Sequence, residues 1–241
     1  KADAIIGSDP DCDRIGVAVR GEKDFVCLSG NQIACLIAEY RLITLKSKQL
    51  LKPENESGFV LLKTFVTTPM LEKIAKSHGI HFVNTPTGFK WMAQKMSKYE
   101  EDATLSIKEK EGIGLDYDQT DLFTRIDILS KYSRYVPLAA EESYGYLPLD
   151  LVRDKDGNAS ALAFAEVIAY LKSLSIKPVD FLDKLYLKYG FHFEKTVNIF
   201  FEGAEGSEKI NKIMDSLRKN PLREINEVKI AKVKDFSQDG L

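Results

Sequence analysis

Three aspartates alternate in a short loop near the start of the chain: Asp9, Asp11 and Asp13. Carboxylates this close repel one another unless a cation lies between them, and hard oxygen ligands suit Mg²⁺ or Ca²⁺. Arg14 follows directly. A metal ion beside a guanidinium fork suits a phosphate, because the metal takes one oxygen and the arginine takes two. This acidic loop therefore indicates phosphoryl-group chemistry.

The aspartate spacing also fits other classes of site. An EF-hand loop starting at Asp9 needs glycine at its sixth position and glutamate at its twelfth. Arg14 and Arg20 stand there, which excludes an EF-hand. A strand ending in Asp-x-Asp-x-Thr/Val is typical of haloacid dehalogenase-type phosphotransferases, in which an aspartate is the nucleophile. Asp9 and Asp11 fit that pattern and Asp13 does not. This interpretation and that of a solvated acidic turn stay open.

Three later segments carry groups that bind sugars or phosphates. Residues 85–90 lie at a strand-to-helix turn, where backbone amides attract anions and Lys90 adds positive charge. Residues 141–145 place carboxylates beside a hydroxyl, a combination suited to sugar hydroxyls. Residues 153–157 offer Lys155 to a phosphate. The alternatives are a helix-capping turn, a surface turn and a solvated charge run, respectively.

The elements that position these segments alternate short apolar runs with amphipathic helices, which predicts an α/β fold. Strands are predicted at residues 4–7, 15–19, 59–66, 80–83, 136–140 and 227–233, with an extended stretch at 191–201. Apolar residues at helical spacing predict helices around residues 33–40, 71–75, 89–96, 164–171, 181–189 and 210–217. Residues 97–134 follow no clean apolar period and are interpreted as a surface excursion.

Composition bounds the class of protein. A length of 241 residues suits one large or two small domains. The net charge of −2 gives no electrostatic reason to expect nucleic-acid binding. No apolar run approaches the ~20 residues that span a bilayer, so no membrane association is expected. Three cysteines without regular spacing indicate reduced thiols and a cytoplasmic protein.

In this order, the acidic loop and the three later segments resemble the motifs of the α-D-phosphohexomutase superfamily. The similarity is greatest to phosphoglucomutases and phosphomannomutases with an Asp-Pro-Asp-x-Asp-Arg metal loop, and it extends from Ala4 to about Pro221. The resemblance implies a three-layer α/β/α domain with a mixed sheet and partial flanking domains. Residues 1–27 would end a second domain, 28–195 would form a third, sugar-binding domain, and 196–241 would begin a truncated fourth.

The resemblance also implies a role for each motif residue. The three aspartates of the acidic loop would bind Mg²⁺. Arg14 would hold the phosphate of an active-site phosphoserine, and Lys155 would lie near the substrate phosphate. The implied substrate-binding residues are Thr87, Gly88, Lys90, Glu141 and Ser143. The last two of these would contact the 3- and 4-hydroxyls of the sugar.

The implied reaction interconverts hexose 1-phosphate and hexose 6-phosphate through a phosphoserine and a hexose 1,6-bisphosphate. Neither the usual phosphoserine loop, Thr-Ala-Ser-His-Asn-Pro, nor the usual phosphate loop, Arg-x-Ser-Gly-Thr-Glu-Pro, occurs in these 241 residues. We therefore expect a central fragment that is inactive alone. A non-catalytic sugar-phosphate-binding module is the alternative from another class. The identity of the sugar and the oligomeric state stay open.

Overall fold

The computed structural model describes residues 2–194, 199–233 and 235. It divides into two units, Lys1–His192 and Phe193–Leu241. The domain boundaries expected at residues 27/28 and 195/196 stay a prediction.

An antiparallel sheet opens the first unit. It consists of β1 (Ala4–Ser8), β2 (Ile15–Arg20) and β3 (Phe25–Cys27), in that order. Ser8 pairs with Ile15 across the first two strands, so the acidic loop is the connection at the end of a hairpin. Ile15, Val17 and Val19 alternate with more exposed residues along β2, which gives this sheet one buried face.

A mixed sheet forms the centre of the first unit, in the strand order β5-β4-β6-β7. Its strands are β4 (Val60–Thr64), β5 (His81–Thr85), β6 (Ala139–Ala140) and β7 (Tyr146–Leu147). β4 pairs in parallel with β5 and β6, while β7 runs antiparallel to β6. The carboxyl ends of the parallel strands therefore meet at one edge, where ligand sites of open α/β sheets usually lie.

Six helices belong to the first unit: α1 (Gly30–Ser47), α2 (Met70–Ser77), α3 (Phe89–Glu111), α4 (Leu122–Tyr132), α5 (Gly157–Ser173) and α6 (Pro178–Tyr189). Val60 and Leu62 of β4 pack in one cluster with Phe89 and Met92 of α3. Leu61, whose side chain points to the opposite face of the strand, packs in the cluster that contains α1 and α2. The predicted three-layer α/β/α architecture with a mixed sheet is confirmed.

The interpretation of residues 97–134 as a surface excursion is wrong. α3 continues to Glu111 and α4 follows it, and the two helices pack against each other. Ala103 and Ile107 are buried, and they lie seven and eleven residues after the buried Met96. Those spacings keep all three side chains on one helical face. The apolar stripe was missed because charged residues separate its members.

The second unit contains α7 (Gly203–Lys219) and a short hairpin of β8 (Glu224–Ile225) and β9 (Val228–Lys229). The strand predicted at residues 227–233 is shorter than predicted and covers only Val228–Lys229. Asn226 and Glu227 form the turn before it, with φ of 47° and 65°. Such left-handed pairs are typical of two-residue hairpins. In the predicted extended stretch, 191–194 and 199–201 form no strand, and 195–198 lie outside the described residues.

No single helix of the described residues is long and apolar enough to cross a membrane. α5 and α6 meet the criterion only when taken together, and a 90° bend separates them.

A buried carboxylate joins three helices of the first unit. Glu39 of α1, 3% exposed, accepts hydrogen bonds from Lys188 at 3.0 Å and from Tyr189 at 2.9 Å, both on α6. His78, at the end of α2, lies 3.1 Å away. Burial opposes ionisation, but the contacts with His78, Lys188 and Tyr189 outweigh it and lower the pKa of Glu39. This cluster therefore stabilises the packing of α1 against α2 and α6.

We expect Glu39→Gln to lower the free energy of unfolding by about 1–3 kcal/mol at neutral pH, because buried donors lose their charged acceptor. The lowered pKa means that the stabilisation is complete above the unfolded-state pKa and is lost as the pH falls through the folded-state value. The gap between wild type and variant should therefore shrink in acid. Urea denaturation at several pH values measures it. Lys98→Gln, which breaks an exposed ion pair with Asp102, is the control and should unfold like wild type. Equal stabilities of wild type and Glu39→Gln at neutral pH would contradict this role.

Candidate active site

The acidic loop is a compact turn built on Asp9. One oxygen of its carboxylate, Oδ1, accepts the backbone N–H groups of Asp13 at 3.2 Å and Arg14 at 3.1 Å. The backbone N–H of Cys12 donates to the carbonyl of Asp9 at 3.0 Å, and Cys12 has a φ of 57°. A side chain bonded to its own following backbone tightens such loops. The turn therefore brings the alternating carboxylates together.

The donor set of the acidic loop fits a hard divalent cation. Asp9, Asp11 and Asp13 each offer a carboxylate oxygen, and these oxygens lie within 4.8 Å of one another. Oδ1 of Asp13 is buried and accepts no hydrogen bond, although Nε of Arg14 lies 3.3 Å away. A buried carboxylate oxygen without a donor is unfavourable unless a cation satisfies it. Oxygen ligands of this kind suit Mg²⁺.

Arg14 is held by the same loop. Its Nε donates to Oδ2 of Asp9 at 2.6 Å. Desolvation opposes ionisation of Asp9, but the hydrogen bonds from the Arg14 backbone and guanidinium outweigh it and lower the pKa of Asp9 to about 2. About half of the Arg14 side chain remains exposed. The guanidinium is thus positioned by one carboxylate and still accessible to an anion.

Lys155, in the loop before α5, contacts the acidic loop. Its Nζ lies 2.7 Å from Oδ2 of Asp13, and this hydrogen-bonded pair raises the pKa of Lys155. The backbone N–H of Gly157, the first residue of α5, donates to the carbonyl of Cys12 at 2.9 Å. A Cβ at Gly157 would lie 2.6 Å from that carbonyl oxygen, so the close approach requires glycine. The start of α5 is therefore fastened directly to the acidic loop.

The sugar loop, residues 141–145, also contacts the acidic loop. Its ends are joined by a hydrogen bond from the Glu141 N–H to the Gly145 carbonyl at 2.8 Å, and Tyr144 has a φ of 73°. The N–H of Ile15 donates to the carbonyl of Tyr144 at 3.2 Å. Arg14 forms a β-bridge with Gly145. The loop is therefore a turn.

The two glutamates of the sugar loop have different partners. Glu141 is buried, and its Oε1 accepts the N–H of Gly88 at 3.0 Å. Burial raises the pKa of Glu141, although Lys155 nearby partly offsets this. Glu142 turns away and accepts the hydroxyls of Thr64 at 3.0 Å and Thr67 at 3.1 Å. Glu141 thus faces the other candidate residues, while Glu142 anchors the loop to the end of β4.

The predicted site residues divide into two groups. Contacts link seven of them directly or through a neighbour in the chain: Asp9, Asp11, Asp13, Arg14, Gly88, Glu141 and Lys155. The other three, Thr87, Lys90 and Ser143, are exposed. Among residues 2–194, the side chains of these three make no hydrogen bond or ion pair with a residue of the first group. Lys90 instead lies over the Trp91 ring, with its Nζ 5.0 Å from the centroid.

Several residues that shape the site were missed. Thr64 and Thr67 hold the sugar loop through Glu142, and Tyr144 lines a pocket of about 390 Å³ beside Asp9 and Arg14. The threonines had a usable signal, because they lie near the end of the strand predicted at residues 59–66, which begins with four apolar residues. Ligand-binding segments gather at that edge of the sheet. Tyr144 had no comparable signal, since its position depends on a positive φ.

Part of the chain matches a known protein family. Residues 29–115 match the family model for phosphoglucomutase/phosphomannomutase, alpha/beta/alpha domain III. The chain is 28% identical over 236 residues to a phosphoglucomutase of Staphylococcus aureus (strain USA300), covering 98% of this chain and 36% of that relative. The chain therefore spans about a third of the length of the curated relatives it matches.

Two solved structures also resemble the chain. A phosphoglucomutase/phosphomannomutase family protein from Burkholderia thailandensis is 18% identical, with a TM-score of 0.45, and the match covers 76% of this chain and 29% of that one. An N-acetylglucosamine-phosphate mutase is 14% identical, with a TM-score of 0.41, and the match covers 76% and 38%. The sequence matches carry the similarity: residues 29–115 resemble alpha/beta/alpha domain III of phosphoglucomutase/phosphomannomutase, and the whole chain is similar to part of a phosphoglucomutase.

Proposed function

We propose that this chain supplies the metal loop and the sugar-binding domain of a phosphoglucomutase or phosphomannomutase. The whole enzyme would interconvert hexose 1-phosphate and hexose 6-phosphate through a phosphoserine and a hexose 1,6-bisphosphate. Its free cysteines, Cys12, Cys27 and Cys35, suit a reducing cytoplasm.

One observation carries the proposal: two cationic side chains, Arg14 and Lys155, and the buried carboxylate of Glu141 share one loop cluster. Lys155 contacts Asp13 at 2.7 Å, and Arg14 forms a bridge with Gly145 of the sugar loop. Glu141 lies on the same loop and near Lys155, since a Cβ on Gly145 would be 2.5 Å from Cδ of Lys155 and 3.4 Å from Oε2 of Glu141. A ligand with both hydroxyls and a phosphate matches this combination of groups.

Each group has a task that follows from its chemistry. Arg14 and Lys155 would bind phosphoryl oxygens, Arg14 as a planar fork and Lys155 as a point charge. Glu141 would accept hydrogen bonds from sugar hydroxyls and orient the ring. Asp9, Asp11 and Asp13 would hold Mg²⁺, which when bound neutralises phosphoryl charge. The protein thus contributes mainly position and charge, as phosphoryl transfer requires.

The geometry of Asp9 disfavours the alternative of a dehalogenase-type nucleophile. One of its carboxylate oxygens accepts two backbone N–H groups, and the other accepts the Arg14 guanidinium. Hydrogen bonds from two backbone N–H groups and a guanidinium lower the basicity of this carboxylate and make it a weak nucleophile, while the remaining lone pair on Oδ2 can still bind a cation. Asp9 fits better as a structural and metal-binding residue.

The test compares the full-length protein with the 241-residue chain. With glucose 1-phosphate, glucose 1,6-bisphosphate and Mg²⁺, the full-length protein should form glucose 6-phosphate in a coupled assay. The 241-residue chain should form none, because it lacks the phosphoserine motif. Turnover by this chain alone would refute the phosphoserine mechanism. An inactive full-length protein that still binds the bisphosphate would favour the binding-module alternative.

A further inference from the structure

We infer that a partly buried polar cluster, which joins α3, α4 and the segment between them to the loop that carries Lys155, positions that loop. The cluster consists of Glu100, Tyr117, Arg125, Asp150 and Arg153. The inference rests on the proposed function, since it assigns these side chains a positioning role toward a residue of that site.

Asp150 is the centre of the cluster. It is 2% exposed, and its Oδ2 accepts the hydroxyl of Tyr117 at 2.7 Å. Arg125 of α4 is the nearest cation, with Nη1 3.8 Å from the same oxygen. The other oxygen, Oδ1, is buried and accepts no hydrogen bond. The Tyr117 hydroxyl is therefore the main donor to a carboxylate that burial makes costly to leave unpaired.

Arg153 extends the cluster into the lysine loop, residues 148–156. Its Nη1 donates to the carbonyl of Asp150 at 2.6 Å, and its Nη2 forms an ion pair with Glu100 of α3. Its guanidinium lies 5.8 Å from the Tyr117 ring centroid, and that of Arg125 lies 4.8 Å from it. The same aromatic ring thus contacts a cation from the loop and a cation from α4.

The segment before α4 is held by the same arginine. Nε of Arg125 donates to the carbonyl of Thr120 at 2.8 Å, and its Nη2 donates to that of Asp118 at 3.2 Å. These bonds hold the chain directly after Tyr117, so its hydroxyl reaches Asp150 from a supported position. The region 97–134 therefore supplies three of the five cluster side chains.

Pro148 at the start of the lysine loop is buried, but apolar packing does little to hold the rest of the loop. Leu151 is 66% exposed and Val152 is 43% exposed. The loop is fixed instead by the cluster at Asp150 and Arg153, and by Asp156, whose carboxylate caps α5 through the Ala159 N–H at 3.0 Å. Lys155 lies between these two attachments. Loosening the first one should therefore move Lys155 without disturbing the core.

The test replaces the Tyr117 hydroxyl in the full-length protein. Tyr117→Phe keeps the ring and its cation contacts and removes the donor to Asp150. We expect kcat/KM for glucose 1-phosphate to fall about 10–100-fold, as small displacements of catalytic groups do. Amide hydrogens of 150–156 should exchange with deuterium several-fold faster, while those of β4 and α1 stay as in wild type. Tyr132→Phe is the matched control, since that hydroxyl bonds to Glu111 on the exposed side of the same helices, and it should change neither.

A double-mutant cycle separates positioning from general stability. If Tyr117 acts through Lys155, Tyr117→Phe should have little further effect in a Lys155→Ala background. Multiplicative losses, or unchanged exchange at 150–156, would overturn the inference. If Tyr117→Phe also speeds amide exchange in β4, the test passes to Glu100→Gln, which removes only the charge paired with Arg153. That variant must then speed exchange at 150–156 and leave β4 as in wild type. An inactive wild-type protein would refute the proposed function, and the exchange data would still decide this inference.

Discussion

Glu141→Ala in the full-length enzyme should lower kcat/KM for glucose 1-phosphate by about two to four decades. A carboxylate that accepts two sugar hydroxyls makes charge-assisted hydrogen bonds, each worth roughly 1.5–3 kcal/mol. Losing two such bonds in the transition state raises the activation free energy by an amount that corresponds to a fall of about two to four decades in kcat/KM. Glu141 is also buried and accepts the Gly88 N–H, so its loss leaves that N–H without its acceptor. Steady-state kinetics of the purified variant measure the effect.

Its neighbours serve as controls of different kinds. Ser143 is exposed, and Ser143→Ala should cost about one decade or less, the value of one neutral hydrogen bond. Glu142→Ala removes the acceptor of the Thr64 and Thr67 hydroxyls, so it should lower the melting temperature. A large kinetic loss in Glu142→Ala at an unchanged melting temperature, with a mild Glu141→Ala, would show that the sugar is bound one residue later than proposed. Mild effects of all three would mean that the loop does not bind the sugar.

Asp11→Asn should make the full-length enzyme require at least tenfold more Mg²⁺ for half-maximal activity. Replacing even an outer partner of a metal ligand typically costs 10–100-fold in affinity, and Mg²⁺ tolerates distorted octahedral geometry poorly. Asp11 is the exposed member of the three carboxylates, so its replacement leaves the Asp9 turn and the Asp13–Lys155 pair in place. The change should therefore appear in the metal dependence and leave the melting temperature near that of wild type.

Titration of activity against Mg²⁺ concentration measures this effect. Asp24→Asn, an equally exposed aspartate in the hairpin between β2 and β3, is the matched control and should have the wild-type dependence. If Asp11→Asn needs the same Mg²⁺ concentration as wild type for half-maximal activity, the assignment of the acidic loop as a metal site is wrong.

Local chemistry made much of this protein predictable. The acidic loop, the apolar strands around it and the helical stripes of α1, α2, α5 and α6 depend on residue type and short spacing, which sequence displays directly. The resemblance of the ordered motifs to the α-D-phosphohexomutase superfamily implied that Glu141 and Lys155 share a site with the acidic loop. The contacts between Lys155 and Asp13, and between Arg14 and Gly145, have that arrangement.

The tertiary structure decided what depends on partners far apart in the chain. The burial of Asp150 beside Tyr117 and the anchoring of Glu142 by Thr64 and Thr67 join residues separated by 33 to 78 positions. No local spacing reports such pairs. The helices of 97–134 were likewise hidden, because α3 there buries only Ala103 and Ile107 among charged residues. The sequence of one helix does not show whether so narrow an apolar face lies against solvent or packs against α4. Burial is a property of the assembled fold and not of the helix alone.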